Sequence, residues 1–230
     1  MIGRWTKEKL SLAITNSPTR VIRKGIITSR PNQSGILTKA KLIRVLKWNN
    51  QKMAKIWTIG HSTRTIEEFI EALRAHGIKL VADVRLLPGS RRFPQFNKET
   101  LAKSLSDHGI TYDHFPELGG RRRPHKDSRN TGWRNEAFRG YADHMETTEF
   151  VAGIARLREE MKSHRAAAIM CAEAGWKCHR SLIADYLKAQ GTEVLHIIDA
   201  HKSQPHPFTS PAKIINGKLD YSGDDLPDLL

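Results

Sequence analysis

The chain has 230 residues, 39% of them hydrophobic and 27% charged, a balance that suits a folded, soluble protein and excludes a disordered one. That length accommodates one domain with a substantial core and is short for two. No run approaches the roughly 18 consecutive apolar residues of a membrane helix. No signal-peptide pattern opens the chain, and two cysteines, Cys171 and Cys178, are too few for a disulfide scaffold, so a reducing, cytoplasmic setting is expected.

The formal charge of +14 is unevenly placed. Residues 1–52 hold 12 of the 38 Lys and Arg and one of the 24 acidic residues, a local charge of +11 against +3 for everything after them. The segment is rich in Ser, Thr, Arg and Lys and lacks sustained periodicity, whereas Met53 directly precedes a strand-like run. The expected division is a basic N-terminal extension over residues 1–52, outside the fold, and a single α/β domain over residues 53–230. A translation start at Met53 accounts for the extension most simply. A basic arm for nucleic acid or a membrane surface, and a cleaved targeting peptide, are the alternatives. Because the domain itself is near neutral, bulk charge says little about its partner.

Along the domain, Lys55 to Ile59 reads as a first strand ending in Gly60-His61-Ser62. Thr63 or Thr65 can cap the next helix, with Glu67 and Glu68 at the positive end of its dipole and Ile66, Phe69, Ile70 and Leu73 at helical spacing up to His76-Gly77. Lys79 to Arg85 is a short apolar run of the kind a buried parallel strand needs. A loop over Leu86 to Phe96 leads to a helix capped by Asn97, and Thr111 to Phe115 suggests a third strand. Glu117 to Arg134, long, basic and containing glycine, reads as an active-site loop. A helical region over Glu136 to Lys162, broken near Thr147, precedes a strand at Ala166 to Met170, a helix at Ser181 to Ala189 and a strand at Thr192 to Ile198. Asn216-Gly217 predicts a terminal hairpin turn. Alternating short strands and helices imply a mainly parallel sheet in a three-layer, Rossmann-like α/β domain, which binds ligands beyond the carboxyl ends of its strands.

The polar residues fall where that rule asks. His61 and Ser62 follow the first strand, Asp83 and Arg85 end the second, Gly119, Gly120 and Arg121 follow the third, and Cys171, Glu173, Cys178, His179 and Arg180 follow the fourth. Arg180 and the first amides of its helix suit an anion, with Ser62, Arg85 and Arg121 as further anion-binding candidates. Glu173, Asp83 and His61 are candidate acids or bases, although Glu173 can instead pair with Arg85 or Arg180, and Asp83 can orient His61 or Arg85 or hold a ribose hydroxyl. Arg121 to Arg123 with Trp133, Phe138 and Tyr141 can hold a phosphate and stack a base, or Phe138 and Tyr141 can be core.

Cys171 and Cys178 admit a nucleophilic thiolate, activated by His179, Arg180 and a helix start, or a zinc site with His179 and His61. Lys177 stands where a phosphatase loop of Cys, five residues and Arg would need its arginine, and there is no close Cys-x-x-Cys pair. Small buried side chains are the expected use, so the sequence assigns no metal and no cofactor.

Thr58-Ile59-Gly60-His61-Ser62, Asp83-Val84-Arg85, Pro94-Gln95-Phe96, Leu118-Gly119-Gly120, Tyr141 and Cys171-Ala172-Glu173 with Cys178-His179-Arg180 together resemble the bacterial and archaeal domain of unknown function 488 family. The likeness runs in order from about Ile56 to about His201. It implies a single three-layer α/β domain with a polar pocket formed by these residues, and it carries no activity across.

The functional expectation is a small hydrolase-like enzyme on a phosphorylated substrate, a nucleotide or a nucleic-acid base or end. Arg85, Arg121 and Arg180 would bind the anion, and Glu173, Asp83 or His61 would serve as acid or base, for example on an N-glycosidic bond. The alternatives are a non-catalytic module sensing a nucleotide or nucleic acid and a thiol- or zinc-dependent enzyme. No membrane partner is expected.

Overall fold

A computed structural model of the chain describes residues 54–173 and 178–223, which all belong to one compact unit. The expected basic extension over residues 1–52 and the proposed start at Met53 lie outside the described residues. Six strands form the main sheet: β1 (Lys55–Gly60), β2 (Leu80–Asp83), β3 (Thr111–His114), β4 (Ala167–Cys171), β5 (Glu193–Ile197) and β6 (Ser203–Pro205), in the order β3-β2-β4-β1-β5-β6. The first five are mutually parallel, and β6 closes the edge antiparallel to β5. The hairpin turn at Asn216-Gly217 joins β7 (Lys213–Ile215) to β8 (Lys218–Asp220), with both turn residues at positive φ as a tight turn of this type requires.

Helices α1 (Ile66–Ala75) and α2 (Lys98–Ser106) cover one face of the sheet, and α3 (Glu136–His144), α4 (Thr148–Ser163) and α5 (Arg180–Ala189) the other. The sequence period explains the partition. In β4, Ala167, Ile169 and Cys171 point to the second group of helices, whereas Ala168 and Met170 meet Phe69, Leu73 and Leu101 of α1 and α2. Thr65 caps α1 in a reciprocal pair with Glu68, and Thr147 caps α4, which is why the helical region breaks there. Asn97 stands at the cap position of α2, but its side-chain oxygen accepts from Ser90 N (2.6 Å) and makes no helix cap. Among the described residues no helix is long and apolar enough to cross a membrane.

A buried polar chain fastens α5 to the sheet. Asp185 on α5 accepts from His206 Nε2 (2.9 Å), Tyr221 Oη (2.8 Å) and Thr209 N (3.0 Å). His196 Nε2 donates to His206 Nδ1 (2.8 Å), and Thr58 of β1 donates its hydroxyl to His196 Nδ1 (2.6 Å). Every ring nitrogen is matched in this arrangement, so burial of both imidazoles is tolerated. Burial first, then His206 and Arg180, pull the His196 pKa down to about 3. The unfolded chain takes up that proton near pH 6.5, so between these values it binds more protons than the folded chain, and acid favours unfolding. From pH 7 to 5, a window above the carboxylate titrations, His196 should account for a loss of about 2 kcal/mol. Urea unfolding of the chain and of His196→Asn at both pH values measures it. The variant should lose correspondingly less, and equal losses would refute the assignment.

Candidate functional site

At the carboxyl edge of the sheet two groups of side chains meet, one from each face. On the α1 and α2 side, Asp83 at the end of β2 is fully buried and saturated. Its Oδ1 accepts from the Arg85 backbone N (3.0 Å) and Nε (2.9 Å), and its Oδ2 from Arg85 Nη2 (2.6 Å) and Tyr112 Oη (2.8 Å). Arg85 Nη2 also donates to Phe96 O (2.9 Å). Burial alone would lower the Arg85 pKa, but hydrogen bonding and charge attraction from Asp83 outweigh it and the pKa is raised. Asp83 is thereby held as the partner of Arg85.

His61, also buried, stacks on Phe96 with ring centroids 4.3 Å apart. Its Nδ1 donates to Ser62 O (3.0 Å), which leaves Nε2 bare and facing Arg85 Nη1 at 3.4 Å. Burial and then the Arg85 charge lower its pKa, so it stays neutral. Ser62 has a left-handed backbone (φ 49°), and its N–H reaches Ala172 O (2.7 Å), extending the β1–β4 ladder into the loops.

On the other side stand Cys171, the last residue of β4, and Cys178 and His179, which lead into α5. A carbonyl oxygen can only accept a hydrogen bond, so the contact of His179 Nε2 with Val84 O (3.0 Å) fixes the ring proton on Nε2. The opposite nitrogen, Nδ1, lies 3.9 Å from Cys171 Sγ. The donor atoms of Cys171, Cys178 and His179 all fall within 4.8 Å of one another. The Cys178 thiol, donating to Cys171, holds the Cys171 pKa well below the usual thiol value. His179 and the Arg180 charge act in the same direction and burial against it. The same contact with Cys171, together with burial, pushes the Cys178 thiol up. Within the pair, Cys171 is the sulfur that gives up its proton more readily and Cys178 the one that keeps it. A negative charge on Cys171 would raise the pKa of both His61 and Arg85, which couples the two groups.

Arg180 is almost fully buried and donates through Nη1 to Ile59 O, so it holds a fixed positive charge whose effect reaches Cys171. Gly119 and Gly120 are both buried, Gly119 against Pro116 and Leu86 and Gly120 against His179. A Cβ on Gly120 would lie 2.7 Å from His179 Nδ1, so the loop backbone rests directly on the imidazole. Tyr141, fully buried, donates to Leu118 O (2.7 Å), and its ring centroid is 5.0 Å from that of His179.

Other expected members stand apart. Glu173 and Arg121 are exposed, and among the described residues neither has a hydrogen bond or ion pair. Arg122 binds Gly119 O (3.0 Å) and Glu149. Trp133 and Phe138 pack on each other (4.8 Å), with Tyr221 5.7 Å from Trp133, instead of offering a face to a base. Tyr112, missing from the sequence reading, closes the carboxylate of Asp83. Nothing signals it before β2 and β3 are known to pair, since only their register sets Tyr112 beside Val81. His114, whose Nε2 donates to Arg85 O (2.8 Å), was hidden in the same way.

Compared with known proteins, the chain matches the family model described as domain of unknown function DUF488 over residues 65–187, more than half of its length. No curated protein and no solved structure matches it.

The contact of Gly120 with His179 makes a prediction. Gly120→Ala should push the imidazole away from Cys171 and slow alkylation of Cys171 by iodoacetamide by about tenfold, while overpacking lowers stability by about 1–3 kcal/mol. Gly89→Ala, whose added Cβ meets nothing within 4 Å, should leave the rate unchanged. Equal rates in the two variants would mean that the loop does not position the ring.

Proposed function

We propose that this chain, which belongs to the DUF488 family, is an enzyme that uses the Cys171 thiolate as a nucleophile on an anionic substrate, with nucleotides and nucleic-acid ends as the first candidates. The observation that carries the reading is the orientation of His179: Nε2 is anchored on Val84 O and Nδ1 faces Cys171 Sγ at 3.9 Å. A nucleophile, a base within reach and a third group orienting that base make up the arrangement covalent catalysis needs. Two buried guanidinium groups, Arg85 and Arg180, add a fixed positive field that favours both the thiolate and an anion approaching it.

In this mechanism His179 Nδ1 takes the Cys171 proton. The sulfur attacks the electrophilic centre, and the bond to the leaving group breaks as the S–substrate bond forms. The electron pair departs with the leaving group, which receives the proton from Nδ1. Water, deprotonated by the same nitrogen, then cleaves the S–substrate bond and restores the thiolate. A route through paired carboxylates has less support, because Asp83 is saturated by Arg85 and Tyr112, leaving Glu173 alone.

Iodoacetate and iodoacetamide, one anionic and one neutral, test this reading on the reduced, chelator-treated full chain. Cys171 should be alkylated before Cys178. Its iodoacetate-to-iodoacetamide rate ratio should exceed that of a free cysteine peptide by about tenfold, which corresponds to about 1.4 kcal/mol of charge attraction. Prior reaction of Cys178, no reaction at Cys171, or a ratio equal to the peptide's would overturn it.

A further inference from the structure

We infer that Cys171, Cys178 and His179 form a three-donor site for a thiophilic divalent cation, with Zn2+ as the fitting ion. Tetrahedral zinc, with Zn–S of about 2.3 Å and Zn–N of about 2.0 Å, needs its sulfur and nitrogen ligands about 3.5–3.8 Å apart. The three donor atoms lie within 4.8 Å of one another, and Cys171 Sγ to His179 Nδ1 is already 3.9 Å, so a small inward movement completes the sphere.

The surroundings favour this use. A metal-bound imidazole is oriented by a hydrogen bond from its other nitrogen to a carbonyl or carboxylate, and His179 makes that bond to Val84 O, presenting bare Nδ1 to the two sulfurs. Cys171 ends β4, His179 is the N-cap residue of α5 and Cys178 immediately precedes it. Two thiolates would neutralise the dication beside Arg180.

Among the described residues the site has three ligands, which leaves a fourth position. Residues 174–177, Ala-Gly-Trp-Lys, contain no thiol, imidazole or carboxylate. His61 has Nδ1 donating to Ser62 O and Nε2 facing Arg85, and the Tyr141 hydroxyl donates to Leu118 O. Three protein ligands with one exchangeable position is the pattern of a site that also binds water or substrate, in contrast to a closed structural site. This inference is independent of the nucleophile reading: a bound cation and nucleophilic attack are alternative uses of the Cys171 sulfur.

The test uses the full reduced chain after chelator treatment. Co2+ should bind at one equivalent and give the intense visible bands of a tetrahedral centre together with a thiolate-to-cobalt charge-transfer band, and Zn2+ should bleach both. Zn2+ should also protect Cys171 from iodoacetamide at least about tenfold. Cys171→Ser, Cys178→Ser and His179→Gln should each weaken zinc binding more than about 100-fold, beyond what loss of a supporting contact gives. Absence of the charge-transfer band in the unaltered chain overturns the inference whatever the variants do, as does equal zinc affinity in folded Cys171→Ser. If metal-free Cys171 still prefers iodoacetate when zinc does not bind, the metal site fails while the nucleophile reading stands.

Discussion

The hydrogen bond from His179 Nε2 to the carbonyl of Val84 is the constraint on which the rest of the site depends. It spans 95 residues of sequence and ties the start of α5 to the end of β2. A backbone acceptor cannot change its role with pH or ligand, so the ring has one orientation and Nδ1 has one direction to face. Gly120 closes the space on that side of the ring, since a β-carbon there would collide with the nitrogen that points to Cys171. Both the thiolate and the metal uses of the cluster draw on this single orientation.

The sheet explains why cations and sulfur share one edge while keeping separate neighbours. Side chains alternate between faces along a strand. Asp83 and Arg85 therefore lie with α1 and α2, while Val84, between them, belongs to the layer of Cys171. Arg85 is locked by Asp83, Phe96 and His61 and acts as a fixed charge more than as a clamp that could follow a ligand. Arg180 is similarly tied to β1. Preorganised charge of this kind needs no rearrangement when a negative sulfur forms beside it. Midway along α5, Asp185 gathers His206, Thr209 and Tyr221, so the helix that begins with the site is held at its start and at its middle.

The strands, the helices and their boundaries were legible because the chain follows local rules closely: Thr65 with Glu68, the break at Thr147, the Asn216-Gly217 turn and the short apolar runs of β2 and β4. The exception, β6, is three residues long with Pro205 at its end and has no alternation to read. The parallel-sheet rule also pointed to most of the residues gathered at the strand ends, but it added Glu173 and Arg121, which stand apart in exposed loops. The division of labour was not legible. That Asp83 would be saturated depends on Tyr112 in a strand whose pairing the sequence does not disclose. The six residues between Cys171 and Cys178 hide the approach of their sulfurs, because local spacing motifs register only close pairs. The direction of the His179 ring depends on a main-chain carbonyl, which has no sequence signature at all.

The protonation pattern of the His179 ring tests the central claim most directly. Nitrogen-15 NMR of the labelled, metal-free chain, with Cys171→Ser to identify the signals, reports which ring nitrogen carries a proton. The account predicts a persistently protonated Nε2, slow to exchange with water, and an Nδ1 resonance that moves when Cys171 is replaced. A neutral ring protonated at Nδ1 with bare Nε2, or an Nδ1 resonance indifferent to Cys171, would contradict it.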